Sequence, residues 1–318
     1  MAKLRRVNTR ALAPHSSPLL LLGTLLVAFT AAWMLRLRAE ELRPETSEAA
    51  FDVPPFPVEV ARPFSFGLSA FAADLTFLEA VQVHGARKSS NPPAEQEAQD
   101  RALARLLDYT VEMDPLFGGA YRFAGSALPR HTLDGKAKNV LAAEQILRKG
   151  VRERPDDWRI AFQLGFVESF YLAKMGDAAR AMAQAAALPG APRYIGFLAT
   201  RLAADAGALD MGEQLAAAME ATATEEATRE AWHQRLLDLR MERDLRALEA
   251  AAARFKARTG HESPSLAALV QAGDLAGLPE EPHGGQYTLL PDGEARSSAA
   301  PRLRVRGRAG TQSGLLAQ

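Results

Sequence analysis

Two stretches of the sequence decide the fold: PLFGGAYRFAG at residues 115–125 and PDDWRIAFQLG at residues 155–165. In each, a proline stops one helix, and the next helix carries a large or apolar residue, then a small or apolar residue, then glycine. The matching positions are Pro115, Tyr121, Ala124 and Gly125, and Pro155, Ala161, Leu164 and Gly165. This pattern is typical of paired-helix repeats, which build surfaces rather than reaction centres.

The composition permits a packed core and excludes several kinds of chemistry. The chain has 318 residues, enough for one large or two ordinary domains, and 47% of them are apolar. Positive and negative side chains balance at 38 each, so no global field points to nucleic acid. No cysteine is present, which excludes disulfides, thiolate metal sites and a cysteine nucleophile.

The N-terminal region predicts a membrane anchor. Residues 19–35 carry no charge, and as a helix they would reach about 26 Å, the short end of what spans a bilayer. Four basic residues precede this segment and three follow it, so the positive-inside rule favours a cytoplasmic N-terminus by a small margin. A cleaved signal peptide is the alternative. Both interpretations export the chain from residue 40 onwards. We predict the anchor, and with it a single-pass bacterial inner-membrane protein with its bulk in the periplasm.

Proline content and apolar periodicity divide the rest of the chain. Prolines between Pro44 and Pro63 predict an extended linker without helix. Apolar residues then recur at three-to-four spacing, which predicts two amphipathic helices carrying Phe66, Ala70, Phe71, Leu75, Leu78 and Val81, and Ala98, Leu103, Leu106, Leu107 and Val111. The predicted segments are a cytoplasmic N-terminus at 1–18, a transmembrane anchor at 19–35, a proline-rich linker at 36–64, helical repeats at 65–222, a long helix at 223–258, a small α+β unit at 259–298 and a disordered basic tail at 299–318.

The repeat region resembles the tetratricopeptide repeat superfamily. Proline stops at 115, 155 and 189 give steps of 40 and 34 residues, and the superfamily repeat is 34 residues long. The first phrase matches the superfamily's first helix, the second matches it with the aromatic residue lost, and Gly176-Asp177 looks like its interhelix turn. Two departures are a long turn inside the first pair and a helix at 158–174 about one turn too long. The resemblance implies a right-handed stack of antiparallel helix pairs whose concave face binds protein segments.

A different pattern begins near residue 245. Thr259-Gly260 ends a helix, Pro264 leads into a short helix with Leu266 and Leu269, and a Pro-His-Gly-Gly turn follows at 282–285. This order resembles the segment after the long N-terminal helix of type II secretion major pseudopilins, and it implies a small structural unit rather than a pilus subunit. Residues 287–290 and 294–298 flank a Pro-Asp-Gly turn, which predicts a two-stranded hairpin packed on the preceding helix.

Candidate chemistry is sparse. The six histidines lack metal-binding helix spacing, and neither a phosphate-cradling glycine loop nor a Gly-x-Ser-x-Gly elbow occurs. We therefore predict no catalytic residues, no metal and no cofactor. His261, Glu281 and His283 could meet around a glycine turn, although polar loop residues are the commoner interpretation. The alternating Arg302, Arg304, Arg306 and Arg308 indicate either a basic arm or a solvated tail.

Aromatic residues at helical spacing suggest a binding surface. Phe162, Phe166 and Phe170 recur every four residues with Tyr171 beside them, which indicates either a floor for a bound peptide or, more commonly, core packing. On the repeat register, the residues predicted to line the concave side and bind a partner are Arg122, Ser126, Arg159, Phe162 and Phe166.

These observations favour a membrane-anchored, non-enzymatic scaffold that binds proteins of the bacterial cell envelope. The pseudopilin-like segment suggests a role in secretion, pilus assembly or cell-surface polysaccharide assembly. We predict no nucleic-acid partner. Two alternatives stay open. One is an envelope hydrolase that uses the repeats as a substrate groove, with Glu280, Glu281 and His283 as its candidate residues. The other is a permanent structural subunit of an envelope complex.

Overall fold

The computed structural model describes residues 18–41, 57–88, 90–131 and 137–303. By internal contacts the chain divides into two units, Met1–Asp52 and Val53–Gln318. The described part of the first unit is one helix, α1 (Pro18–Glu41). The described large apolar side chains of this helix, between Leu22 and Leu37, are exposed, from 49% at Leu37 to 71% at Leu35. No helix among the described residues is long and apolar enough to cross a membrane, and the anchor expected at 19–35 stays a prediction.

The second unit is mainly α-helical, which confirms the predicted fold class at that level. Its helices are α2 (Val58–Phe64), α3 (Ser69–Ala86), α4 (Pro93–Met113), α5 (Gly118–Ala127), α6 (Val140–Glu153), α7 (Trp158–Phe170), α8 (Met175–Ala186), α9 (Tyr194–Asp205), α10 (Leu209–Thr222), α11 (Glu226–Thr259) and α12 (Leu266–Gln271). Two antiparallel strand pairs accompany them, β1 (Arg130–His131) with β2 (Ala137–Lys138) and β3 (Tyr287–Leu289) with β4 (Ala295–Ser297).

Helices from α3 to α11 pack in sequence order. Each contacts the next along the chain, and α4 also contacts α6, as α5 contacts α7. The two repeated glycines allow this close packing. A Cβ on Gly125 would lie 2.8 Å from Oε1 of Gln163, and one on Gly165 would lie 2.8 Å from Cγ of Met182. At Gly165 the backbone carbonyl of Ala178 also lies 3.0 Å away, so a larger residue would push α7 and α8 apart. At Gly125 a larger residue would first displace the flexible end of the Gln163 side chain.

The predicted core of α4 is largely confirmed, but the predicted apolar face of α3 is wrong. Leu103, Leu106, Leu107 and Val111 of α4 are fully buried. In α3 the buried residues are Ala73, Thr76, Ala80 and Val83, whereas Phe71, Leu75, Leu78 and Val81 are exposed. Helix α3 is apolar on two faces, and α4 packs against the face with smaller side chains.

Three further boundaries differ from expectation. The linker expected at 36–64 contains α2, because Pro63 falls only in the last turn of a short helix. Helix α7 ends at Phe170 rather than at 174, since Ala173 adopts a left-handed φ of 53° and the N–H of Lys174 turns back to the carbonyl of Glu168. The expected extra turn is therefore absent from α7, and Gly176-Asp177 belongs to the first turn of α8.

The small α+β region predicted at 259–298 packs on the second half of α11. The cluster that joins them contains Met241, Leu245, Leu248, Ala251, Ala252, Leu266, Leu269 and Ala295. The predicted hairpin is confirmed, with Tyr287 opposite Ser297. Arg302, within the tail predicted at 299–318, forms ion pairs with Glu242 and Glu249. Residues 304–318, with the other three arginines of the predicted basic tail, lie outside the described residues.

Candidate partner-binding site

The stripe of aromatic residues that recur along α7 is packed on the core in its first half and exposed in its second half. Ring centroids of Trp158 and Phe162 are 6.4 Å apart, and Phe162 is half-buried against the core between α7, α8 and α9. One turn further on, Phe166 and Phe170 stack with centroids 5.3 Å apart and planes 9° apart. Phe166 is 42% exposed and Phe170 is 53% exposed. The commoner interpretation, core packing, therefore holds only for the first half of the stripe.

Two tyrosines widen the stripe into a surface. Tyr171 packs edge-on against Phe170, with centroids 4.9 Å apart, and burial raises the pKa of its hydroxyl. Tyr194, the first residue of α9, packs edge-on against Phe162 with centroids 6.1 Å apart and is 55% exposed. We call Phe162, Phe166, Phe170, Tyr171 and Tyr194 the aromatic surface. It bridges α7 and α9, so the packing of these helices fixes its shape.

Two arginines lie at the N-terminal end of α7. Asp157 caps this helix by accepting a 3.0 Å hydrogen bond from the backbone N–H of Arg159. Its other carboxylate oxygen pairs with Arg122 from α5, whose side chain is 39% exposed. The guanidinium of Arg159 lies 4.6 Å from the centroid of the Trp158 ring, a cation–π contact. Both cations are thus positioned, and both retain N–H donors that can face a ligand.

The structure brings two pairs of the predicted binding residues together. Phe162 and Phe166 belong to the aromatic surface, and Arg122 and Arg159 meet around Asp157. Ser126 is exposed, but its hydroxyl donates to carbonyls of its own helix, 3.1 Å from Phe123 O.

Tyr194 was missed as a site residue. The sequence did contain an indication of this residue: Tyr194 is an aromatic residue at the start of a helix shortly after Pro192, just as Trp158 comes shortly after Pro155. Only the approach of α9 to α7 brings Tyr194 to Phe162.

A charged cluster links α7 to the helices on either side of it in the sequence. Arg148 of α6 pairs with Glu144, with Glu168 of α7 and with Asp177 of α8. Lys174 also bonds Glu144, at 2.8 Å. Glu168 is 1% exposed, and burial is the main cause that raises its pKa to about 7. These ion pairs tie three helices together and hold α7 in place.

Two of the three candidate hydrolase residues, Glu281 and His283, make contacts that hold the local fold. The buried carboxylate of Glu281 accepts hydrogen bonds from the backbone N–H of His283 at 2.9 Å, from that of Gly285 at 2.7 Å and from the Ser297 hydroxyl at 2.9 Å. Nε2 of His283 lies 3.2 Å from Asp238 on α11. Glu280 is exposed. Among the described residues, no group of histidine and acidic side chains is arranged to hold a metal ion.

Comparison with protein-family models, curated proteins and solved structures finds no match to this chain. The function is therefore argued from the geometry of the aromatic surface and its surroundings.

Proposed function

We propose that this protein is a membrane-anchored, non-enzymatic scaffold that binds a protein segment through the aromatic surface. The observation that carries the proposal is the stacked pair Phe166 and Phe170, which leaves about half of each side chain in solvent. Aromatic residues are enriched at protein interfaces because they bury a large area with few rotatable bonds. The ordered packing of helix pairs supports a repeat stack of the tetratricopeptide type as the frame that presents this surface.

The charges next to the aromatic surface indicate what a partner segment carries. The rings suit apolar side chains, and Arg159 and Arg122 lie at one end of α7. We expect a segment with two or more large apolar residues and an acidic group at the arginine end, since guanidinium donors bind carboxylates in a paired geometry.

The location is part of the proposal. The described apolar side chains of α1, from Leu22 to Leu37, are exposed, and a helix that is hydrophobic all round is typical of an apolar environment. This supports an anchor in the bacterial inner membrane, with the second unit in the periplasm and the partners among proteins of the cell envelope.

Site-specific photocrosslinking tests the proposal in the full chain. A photoreactive phenylalanine analogue at Phe166 is compared with the same analogue at Arg101, an exposed position on α4. We expect one discrete protein adduct in host membranes from position 166 and none from position 101. Tyr194→Ala should reduce that adduct while leaving the melting temperature within a few degrees, because Tyr194 is largely exposed. Equal labelling from both positions, or an adduct indifferent to Tyr194, would contradict the proposal.

A specific observation favours a second candidate, the permanent structural subunit. Helix α3 exposes a continuous apolar face, as many subunits of stable complexes do before assembly. A chain that leaves host membranes only as part of one complex of fixed composition would support this candidate. Recovery of the chain free of other proteins would exclude it.

A further inference from the structure

A cavity of about 290 Å³ lies at the junction of α6, α7 and α8, and we call it the α7 cavity. Leu164 and Glu168 of α7 line it, and α6 and α8 contribute the rest of its lining. Three arginines belong to this lining: Arg148 and Arg152 of α6 and Arg180 of α8. Because guanidinium groups pair with carboxylates and phosphates, three of them around one cavity indicate a site for an anion.

The charges of the α7 cavity leave an excess of positive charge. Its lining carries three arginines against two acids, Glu168 and Asp177, a net charge of +1 when both acids are ionised. Lys174 and Glu144, which belong to the same group of ion pairs, offset each other. Arg152 is exposed and forms no ion pair with another described residue. An anion that enters the cavity therefore meets a net attraction and a guanidinium that is not engaged with a carboxylate.

The buried carboxyl of Glu168 couples this charge to a proton. Its Oε1 accepts a hydrogen bond from Arg148, whereas its Oε2 is buried without a hydrogen-bond partner among the described residues. A carboxylate oxygen without a donor is poorly stabilised, and burial raises the pKa of Glu168 to about 7. A proton on this carboxyl brings the net charge of the lining to +2 and weakens the hold of Glu168 on Arg148. More of the guanidinium charge is then available to an anion.

Charged residues surround Glu168 on α6, on α8 and in the turn between α7 and α8. They are Glu144, Arg148, Arg152, Lys174, Asp177 and Arg180. Helix α5 also contacts α7, but its charged residue, Arg122, pairs with Asp157 at the start of α7. None of these residues is a histidine, the side chain that ordinarily titrates near neutral pH. Glu168 is therefore the group that we expect to link the binding of an anion to pH.

The rest of the lining suits the body of a small organic anion. Val151, Leu164 and Ala181 give the cavity an apolar part, which inorganic phosphate would leave unfilled. A carboxylate pairs with a guanidinium through two parallel hydrogen bonds, and the exposed arginines of α6 and α8 can turn towards it. We propose that the α7 cavity binds a small carboxylate with a short hydrocarbon chain, and that Glu168 takes up a proton as the carboxylate binds.

Isothermal titration calorimetry of the full chain in mild detergent tests the proposal, with isovalerate as the probe and isovaleramide as its neutral counterpart. Isovalerate stays ionised from pH 6 to pH 8. Glu168, with its pKa of about 7, is about nine-tenths protonated at pH 6 and about one-tenth protonated at pH 8. We therefore expect the affinity for isovalerate to fall several-fold, and at most about tenfold, between these pH values. At pH 7 the binding heat should depend on the ionisation enthalpy of the buffer, because protons are taken up.

Four results would overturn the proposal. They are the absence of isovalerate binding at pH 6, equal affinity for isovalerate at pH 6 and pH 8, binding of isovaleramide as tight as that of isovalerate, and tighter binding of inorganic phosphate. The third result would show that the cavity does not recognise the carboxylate. The fourth would assign the arginines to a phosphate group.

Two variants locate the site. Glu168→Gln is neutral at every pH, so we expect it to bind isovalerate at both pH values as the wild type does at pH 6, without proton uptake. Arg152→Gln changes an exposed side chain and should leave the melting temperature within about 2 °C. It should lower the affinity about tenfold at both pH values, because a charge-assisted hydrogen bond is lost. Arg101→Gln, at an exposed arginine of α4, is the matched control and should change nothing.

The variants can also refute the site. Glu168→Gln that keeps the pH dependence of the wild type would contradict the role of Glu168. Equal effects of Arg152→Gln and Arg101→Gln would show a general attraction of anions to the surface of the protein rather than binding in the α7 cavity.

This inference does not depend on the proposed function. Glu168 is two positions from Phe166 and two from Phe170, which in a helix is about 160° around the axis. Tyr194→Ala should therefore leave isovalerate binding unchanged, and Arg152→Gln should leave the adduct formed from position 166 in place. Failure of isovalerate to bind while that adduct forms would refute the α7 cavity alone, and the reverse result would refute the aromatic surface alone.

Discussion

Replacing Gly150 by alanine should destabilise the protein, although alanine is the better helix former. Gly150 lies in α6 and is buried. A Cβ there would lie 2.7 Å from Cγ and Cδ1 of Tyr121 and 2.9 Å from Cγ2 of Ile160. An ordinary carbon–carbon contact is about 3.5–4.0 Å, so the new methyl overlaps the ring by about 1 Å. The ring cannot easily retreat, because Tyr121 is fully buried and its hydroxyl donates to the carbonyl of Pro115 at 3.1 Å.

The expected size follows from two opposing contributions. Overpacking of a filled core costs about 1–3 kcal/mol. The preference of a helix for alanine over glycine returns about 1 kcal/mol. Because the overlap is about 1 Å against a ring that cannot easily retreat, the cost lies in the upper part of the overpacking range, about 2–3 kcal/mol. We therefore expect a net loss of about 1–2 kcal/mol, which lowers the melting temperature of a chain of this size by roughly 2–4 °C.

Thermal and urea unfolding of the full chain in mild detergent measures the difference. The matched control is Gly176→Ala in the first turn of α8, where the nearest atom to a new Cβ lies at 3.8 Å, an ordinary contact. This control should be neutral or slightly stabilising. In a Tyr121→Leu background the cost of Gly150→Ala should shrink, since the obstructing ring is gone. Equal effects of the two alanines, or a cost that persists without the ring, would refute this account of the α5–α6 contact.

Two further predictions concern buried charge. Burial raises the pKa of Glu168 to about 7, above its usual 4.5, so the folded chain binds more protons than the unfolded chain between these pH values and its stability falls as pH rises through this window. The fall in the free energy of unfolding between pH 5 and pH 8 should be about 2–3 kcal/mol in the wild type and smaller in Glu168→Gln, as measured by urea unfolding. Parallel pH profiles for variant and wild type would contradict this. Arg302→Ala leaves the fully buried Glu242 with Arg246 alone and should cost about 2–3 kcal/mol, with earlier proteolysis of the hairpin. Arg302→Lys should recover only part of the loss, because one ammonium cannot reproduce the paired contacts to Glu242 and Glu249, and full recovery would count against this geometry.

The sequence predicted best those elements in which local signals and packing agree. Pro155 was expected to separate two helices, and α7 begins three residues after it, capped by a hydrogen bond to the side chain of Asp157. The hairpin of β3 and β4 was predictable because a Pro-Asp-Gly turn separates two short runs, and α11 offers an apolar surface for it. In both cases a single physical requirement, a helix cap or a tight turn, strongly favours a few residue types, so those residues identify it.

The face of α3 could not be predicted, because periodicity identifies apolar faces and not their partners. Phe71 and Leu75 form one apolar face, Ala80 and Val83 form another, and the larger residues were expected inside. Close packing on α4 selects the smaller ones. The end of α7 fails for a related reason: Ala173 has a high helix propensity, but the chain turns there in a left-handed conformation. Lys174 then reaches Glu144, a tertiary contact that no local signal contains.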